Sequence, residues 1–430
     1  MPDGQHVQRL EQRHPRRYVS IFGEFTLERT VYGSREGQAL AFVPLDNRLQ
    51  LPESVFSYVL QDWDQSLAME QAFGQVSQTI ERMLQLRQSV DSLEGMNRQM
   101  AVDVGWFREL YVTPPPAEEG PIVVTTADGK GIVIRGQGSP TVCGGQRPAG
   151  QRANHKRMAT VGAVYTVAPY VRTPAEVVAA LFRDPDYQPR PRPQPQHKHV
   201  WASLPQTAPQ PRSSIEVVFT WLQWEFAQRN PDLQRPTVRL CDGQEALWQA
   251  CADYLPEANA VDILELLHVT PRLWEAAKLL LGARSQEVVP WVRHRVTQIL
   301  EGKVETVIRA LRRQAVARGL RGAQKKALAG ICRYFHKNRS RMSYDAYLRQ
   351  GYPIASGVIE GACRHLIKDR MERAGMHWTP EGAQAMLDLR SVHIGGHWEA
   401  YQSYRIEREI ERLYPHRALV AGEAFFALAA

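Results

Sequence analysis

The chain has 430 residues, 43% hydrophobic and 23% charged, with a formal net charge of +8 and a pI near 9.3. That length accommodates two or three domains with a sizeable core, and the basic balance favours a polyanionic partner. Five scattered cysteines (Cys143, Cys241, Cys251, Cys332, Cys363) form no Cys-x-x-Cys pair, so neither a disulfide framework nor a zinc knuckle is supported. The polar start Met1-Pro2-Asp3-Gly4-Gln5-His6 lacks an apolar signal core and no run is long enough to cross a bilayer, so the expectation is a cytosolic protein with no membrane partner.

Residues 17–33 alternate apolar and polar around a glycine, which predicts a short hairpin. Leu51-Pro52-Glu53-Ser54 then opens a predicted helix with Val55, Tyr58, Val59 and Leu60 on one stripe. Phe73, Val76, Ile80, Met83 and Leu84 mark a second helix. Gln88-Ser89-Val90-Asp91 supplies a short turn and a capped start, so this pair is either a helix-turn-helix, with the helix from Ser89 in the major groove, or a plain helical hairpin.

After Pro114-Pro115-Pro116 the pattern changes. Residues 121–135 hold two β-rich runs separated by Asp128-Gly129, a strong hairpin signal, and residues 160–171 supply a third strand. Between them lies a Gly-rich basic loop running from Gly144 through Arg147 to Lys156 and Arg157. Residues 185–211 carry eight prolines and predict an extended surface excursion. Order resumes with a helix over 213–230, a strand over 237–241, a helix over 243–255, a strand over 260–264 and a helix around Trp274. Strands alternating with helices after an antiparallel start indicate a mixed α/β sheet covered by helices. Residues 288–347 are helical throughout, and further helices follow around Glu360, over 382–389 and over 398–414.

Three acids sit where core elements end or turn: Asp128, Asp242 in Leu240-Cys241-Asp242-Gly243, and Glu360 in Gly357-Val358-Ile359-Glu360. Carboxylates gathered by a fold suit hard divalent cations such as Mg²⁺ or Mn²⁺, which in pairs serve phosphodiester chemistry. Singly, each has a plainer reading. Asp128 suits a type I′ turn, Asp242 with Glu245 a capping box, and Glu360 with Arg364 an exposed ion pair. The run from Arg309 to Arg341 holds eleven Lys or Arg, among them Arg309, Arg312, Arg313, Lys325, Lys326, Arg339 and Arg341, and no Asp or Glu, which points to DNA phosphates.

With those residues in view, the chain resembles the transposases of the ISKra family of bacterial insertion sequences, in the DDE class that shares an RNase H-like fold with Mutator-type transposases. The resemblance is carried by Thr126-Ala127-Asp128-Gly129-Lys130-Gly131, by Leu240-Cys241-Asp242-Gly243-Gln244-Glu245, and by Glu265-Leu266-Leu267-His268-Val269 with Trp274. Its most specific segment is Gly357-Val358-Ile359-Glu360-Gly361-Ala362-Cys363-Arg364, running on to His377-Trp378.

The resemblance implies an RNase H-like mixed sheet interrupted by an all-α insertion and preceded by a mainly helical DNA-binding region. The spans are 1–113 for DNA binding, 114–270 and 348–430 for the core and helical tail, and 271–347 for the basic insertion. It further implies Asp128, Asp242 and Glu360 as the ligands of two Mg²⁺ or Mn²⁺ ions, with Glu265, His268, His377 and Trp378 in support. Double-stranded DNA, as terminal repeats and target, would be the substrate of a homo-oligomer in the bacterial nucleoid. Relatives usually carry an acid or Cys two residues before the intervening His, where this chain has Glu265 three before it. They also commonly have Cys pairs near the N-terminal hairpin, where this chain has none. The rival readings are a catalytically inactive DNA-binding protein, a metal-dependent nuclease without strand transfer and, more distantly, a carbohydrate hydrolase.

Overall fold

The computed structural model describes residues 7–35, 42–110, 118–135, 154–207, 210–373 and 376–415. The chain divides into two units, one of Met1–Tyr111 with Thr379–Ala430, the other of Val112–Trp378. The first unit opens with the short strands β1 (Gln8–Arg9), β2 (His14–Ser20), β3 (Gly23–Arg29) and β4 (Tyr32–Gly33). Of these, β2 and β3 form the expected hairpin, closing at Ser20↔Gly23. Helices α1 (Pro44–Leu49), α2 (Tyr58–Glu70), α3 (Phe73–Leu84), α4 (Val90–Met100) and α5 (Val104–Leu110) follow.

The helix expected from Leu51 begins instead at Tyr58. The Ser57 hydroxyl caps it by accepting from Leu60 N, while the carbonyls of Pro52 and Ser54 accept from the Arg16 guanidinium. Val59 and Met83 face solvent, whereas Leu60, Phe73, Val76 and Ile80 are buried. The start at Ser89 is as expected, its side chain accepting from Ser92 N.

Asp64 of α2 is fully buried, and burial pushes its carboxyl up to about 7 against the lowering effect of the Gln88 side chain. A carboxyl raised from 3.8 in the unfolded chain to about 7 in the folded one stabilises the fold below the lower value. That contribution is lost as pH rises through the upper value, because the folded state binds the extra proton. Asp64→Asn is expected to remove roughly one proton from the pH slope of unfolding across that window. Chemical denaturation at several pH values checks it, and an unchanged slope would rule Asp64 out as the source.

The second unit is built on a five-stranded sheet in the order β7-β6-β5-β8-β9. Its strands are β5 (Ile122–Arg135), β6 (Asn154–Val167), β7 (Gln196–Ser203), β8 (Thr237–Cys241) and β9 (Ala260–Leu264). The β5–β6 and β6–β7 pairs are antiparallel, the β5–β8 and β8–β9 pairs parallel. Alternation along β5 sends Val124 to one face and Val123 to the other. The Val124 face packs on α6 (Pro174–Phe182), on α9 (Leu266–Leu281) and on the helical block α10 (Val288–Leu300), α11 (Val304–Ala317), α12 (Gly322–Asn338) and α13 (Tyr344–Gln350). The Val123 face packs on α7 (Ser214–Arg229) and α8 (Glu245–Tyr254). Gly162 of β6 lets α7 approach, since a Cβ there would lie 2.6 Å from Val218 Cγ1.

Two sequence expectations are corrected here. Asp128-Gly129 makes no turn: β5 is one strand of fourteen residues, paired with β6 on both sides of Asp128↔Val161 and Gly129↔Thr160. The 185–211 segment is not wholly a surface excursion, because β7 begins at Gln196, directly after the last proline of its run, and buries Val200, Trp201 and Ala202 at the sheet edge.

Beyond the helical block come α14 (Gly357–Ala362), a π-helical turn over Cys363–Lys368 and α15 (Asp369–Met371). Helices α16 (Pro380–Ile394) and α17 (Trp398–Leu413) complete the first unit, with α16 packed on α2 and α4. Thus 114–270, 271–347 and the opening of 348–430 lie in the second unit, and residues from Thr379 onward in the first. No helix among the described residues is long and apolar enough to cross a membrane.

Candidate functional site

Parallel pairing of β5 with β8 runs from Val123↔Thr237 to Ala127↔Cys241. Asp128 comes next on β5 and Asp242 directly follows β8, so the sheet register brings two half-buried carboxylates near one another at the carboxyl end of β8, the end where open α/β sheets bind ligands. Asp128 Oδ1 accepts from Gly129 N at 2.7 Å, and its Oδ2 accepts from the Cys363 thiol at 3.6 Å. Asp242 Oδ1 accepts from Gln244 N at 2.7 Å, and α8 begins only at Glu245 with Gln244 as its N-cap. The capping box expected between Asp242 and Glu245 is therefore replaced by a tight turn, and Glu245 pairs with Lys337 at 2.6 Å.

Glu360 projects from α14, which is capped by Ser356 Oγ accepting from Ile359 N. Arg364 pairs with Asp369 at 3.5 Å, so the plain ion-pair reading of Glu360 with Arg364 is set aside. The π-helical turn immediately after α14 widens the backbone spiral, a feature often found at functional sites.

Glu265, buried to 2% exposure, braces this region. One carboxylate oxygen accepts from Ser356 N at 2.7 Å and the other lies 3.3 Å from His268 Nε2. One turn at the start of α9 lets Glu265 and His268, three residues apart, meet.

The charges are mutually aware. Burial raises the Asp242 carboxyl; the Gln244 amide and His268 oppose that, while Asp128 and Glu265 add to it. Glu360 is raised by burial and by Glu265, with His268 opposing and Asp128 adding. His268 is raised by its bond to Glu265, against burial, with further help from the negative charge of Asp242 and Asp128. The Cys363 thiol is pushed up by burial and by Asp128. Like-charge crowding of this kind is relieved by a cation.

Among the described residues no three His, Cys, Asp or Glu side chains are arranged to hold a metal ion. The donor set nonetheless fits a hard cation in kind. It is rich in carboxylate oxygen and half-buried, with His268 and Lys130 the cations that act on it.

Tyr334 of α12 is a neighbour that sequence reasoning passed over as part of a basic run. Its ring fills the space over Gly243, where a Cβ would fall 2.2 Å from the ring edge, and Arg272 stacks on it at 5.0 Å. Burial and the charge of Asp242 push its hydroxyl up to about 12. A glycine directly after an acid at a strand end was the available signal. Gly243→Ala is expected to displace Tyr334 and disturb the Asp242 turn, destabilising the fold by about 1–3 kcal/mol. A thermal melt with near-wild-type midpoint would show that the ring moves aside without cost.

The remaining expected residues are dispersed. Arg147 lies outside the described residues. Lys156 is exposed, as is His377. Trp378 is packed rather than presented: its backbone bridges Val133 and Arg135, its indole donates to Met371 O, and Arg370 covers its ring at 5.1 Å. It braces the end of β5 and leaves no ring face for a nucleotide.

The basic run separates into two parts. Lys337 pairs with Glu245, Arg339 lies 3.6 Å from Glu305, and Arg341 lies 3.7 Å from Asp262 and covers the Trp248 ring. Arg309, Arg312, Arg313, Lys325 and Lys326 are exposed, with no ion pair to them among the described residues.

Comparison with known proteins is silent on identity: no family model matches the chain and no curated protein matches it.

Proposed function

We propose that the chain is a DDE-type transposase of the ISKra kind, with an RNase H-like catalytic core that cuts and joins DNA. The observation that carries this reading is the register neighbourhood of Asp128 and Asp242, coupled electrostatically to Glu265, His268 and Glu360. Mg²⁺ or Mn²⁺, held by Asp128, Asp242 and Glu360, would supply water activation and leaving-oxygen stabilisation.

The chain's own groups position. Glu265 fixes His268 and the backbone before α14, so the Glu360 helix and the imidazole are set by one buried carboxylate. The exposed cations of α11 and α12 neutralise DNA phosphates, both of a terminal repeat and of a target, and the N-terminal helices read base edges. A homo-oligomer on DNA in the bacterial nucleoid completes the proposal.

The test is incubation with DNA bearing the ends of the element that encodes the chain, scored for Mg²⁺-dependent nicking that exposes a 3′-hydroxyl and for joining to a second DNA. Nicking without joining would reassign the chain as a nuclease, and binding without nicking as a DNA-binding protein.

Phosphate neutralisation by the insertion has its own expected result. Changing Arg312, Arg313, Lys325 and Lys326 to Gln weakens binding to all sequences alike and lowers the slope of log affinity against log salt by roughly one unit for each phosphate no longer neutralised. An unchanged slope would mean these cations are merely solvated.

A further inference from the structure

A cavity of about 280 Å³ opens in the second unit, lined in part by residues close in sequence to Glu265 and Glu360. Tyr170, Arg172, Glu176, Tyr187 and Arg192 are among its polar lining residues, and Leu266 and Ile354 among its apolar ones. Two covalent links tie it to the candidate site. Leu266 directly follows Glu265, and Gly357, also in the lining, is one helical turn before Glu360. The two segments are joined by Leu266 N donating to Ile354 O at 2.9 Å.

Part of the polar lining is a stack of planar groups. Arg172 and Arg190 lie over the Tyr170 ring at 5.1 and 5.4 Å. The Arg172 guanidinium is fixed by the carbonyls of Tyr170 and Tyr352, at 3.2 and 3.1 Å. Arg192 adds like charge to Arg172. The carboxylate in the lining, Glu176, is already engaged by Thr173 N at 2.7 Å and by Arg190 at 3.1 Å. Two cations, stacked planar groups and apolar lining residues recognise a flat, partly apolar group attached to an anion, which is the chemistry of a nucleotide.

We propose that this cavity receives one unpaired base of the DNA strand being processed, with Tyr187 stacking on it and Arg172 and Arg192 meeting its flanking phosphates. The inference rests on the DNA-processing reading and adds to it a reason for local strand separation at the scissile end. A base held there anchors the strand beside both the Glu265–His268 pair and Glu360.

The probes are a blunt duplex and the same duplex carrying a short single-stranded overhang with the fluorescent base 2-aminopurine, titrated against the full chain at fixed salt. The wild type is expected to bind the overhang duplex about tenfold more tightly and to quench the 2-aminopurine on binding. Tyr187→Ala, at a half-buried position, and Arg192→Gln, at an exposed one, should abolish both the preference and the quenching while leaving the melting temperature unchanged, and Tyr187→Ala should leave blunt-duplex affinity unchanged as well. Equal affinity of the wild type for both duplexes, or a preference intact in both variants, would overturn the proposal while leaving the transposase reading standing. Binding to neither duplex would sink both. Quenching by free 2-aminopurine deoxynucleotide without any overhang preference would assign the cavity to a small nucleotide and overturn the strand reading.

Discussion

Asp128→Asn, Asp242→Asn and Glu360→Gln are each expected to bring DNA nicking and joining down by at least about 10²–10³-fold while duplex binding stays near wild type. The separation follows from where the groups lie. Asp128 and Asp242 lie near one another at the carboxyl end of β8, whereas the exposed cations Arg312, Arg313, Lys325 and Lys326 belong to α11 and α12. The substitutions keep shape and remove charge. They also relieve crowding, since Asp128 adds to the burial that raises Asp242 and Glu360. Each variant should therefore be at least as thermally stable as the parent without added metal. Near-native nicking in any one variant would strike that residue from the site, and a parallel fall in binding would show that the acid acts through folding.

Arg229→Met is expected to cost about 3–5 kcal/mol of stability, the usual consequence of removing one partner from a buried charge network. Arg229 is fully buried, 3.6 Å from Glu119 and 3.3 Å from Glu225, and donates to His197 O at 2.7 Å. Glu225 also accepts from His199 Nδ1 at 2.9 Å, and Glu119 accepts from the Thr166 hydroxyl at 2.7 Å. Burial works to raise Glu225, and His199 together with Arg229 outweighs it. Methionine would fill the volume but leave two carboxylates desolvated. Denaturant unfolding followed by the fluorescence of Trp201 and Trp221, which pack against each other at 5.8 Å, reads the loss. Glu119→Gln and Glu225→Gln added to Arg229→Met should return part of it. A loss under about 1 kcal/mol would mean water reaches the network.

The elements that were legible in the sequence are those whose signal is local. Ser213, the strand Thr237–Cys241 and the strand Ala260–Leu264 stand where pattern and capping put them, because the tertiary environment reinforces the local preference. Asp128-Gly129 misled because pairing overrode turn preference: every residue of β5 has a partner on β6, and a reversal there would forfeit that ladder. The Pro-rich segment misled through averaging, since the prolines on either side masked the buried run His199–Ser203. The basic run looked unmixed because its compensating acids, Glu245, Asp262 and Glu305, lie elsewhere in the chain. In the candidate site the acids were visible by their context, and the register that makes Asp128 and Asp242 neighbours is a long-range fact. Nothing near Glu360 in sequence announced the π-helical turn, and nothing near Asp242 announced Tyr334.

The backbone bridge between β5 and Trp378 has a bearing on biogenesis. Arg135 N donates to Trp378 O, and Trp378 N to Val133 O, so the second unit's first strand is bridged by that unit's last residue. Loop closure over so much intervening chain is entropically costly and delays folding. A ribosome emitting this protein must therefore release almost the whole of Val112–Trp378 before that strand acquires its final partner. A product terminated before Glu360 carries the exposed cations of α11 and α12 without the third acid.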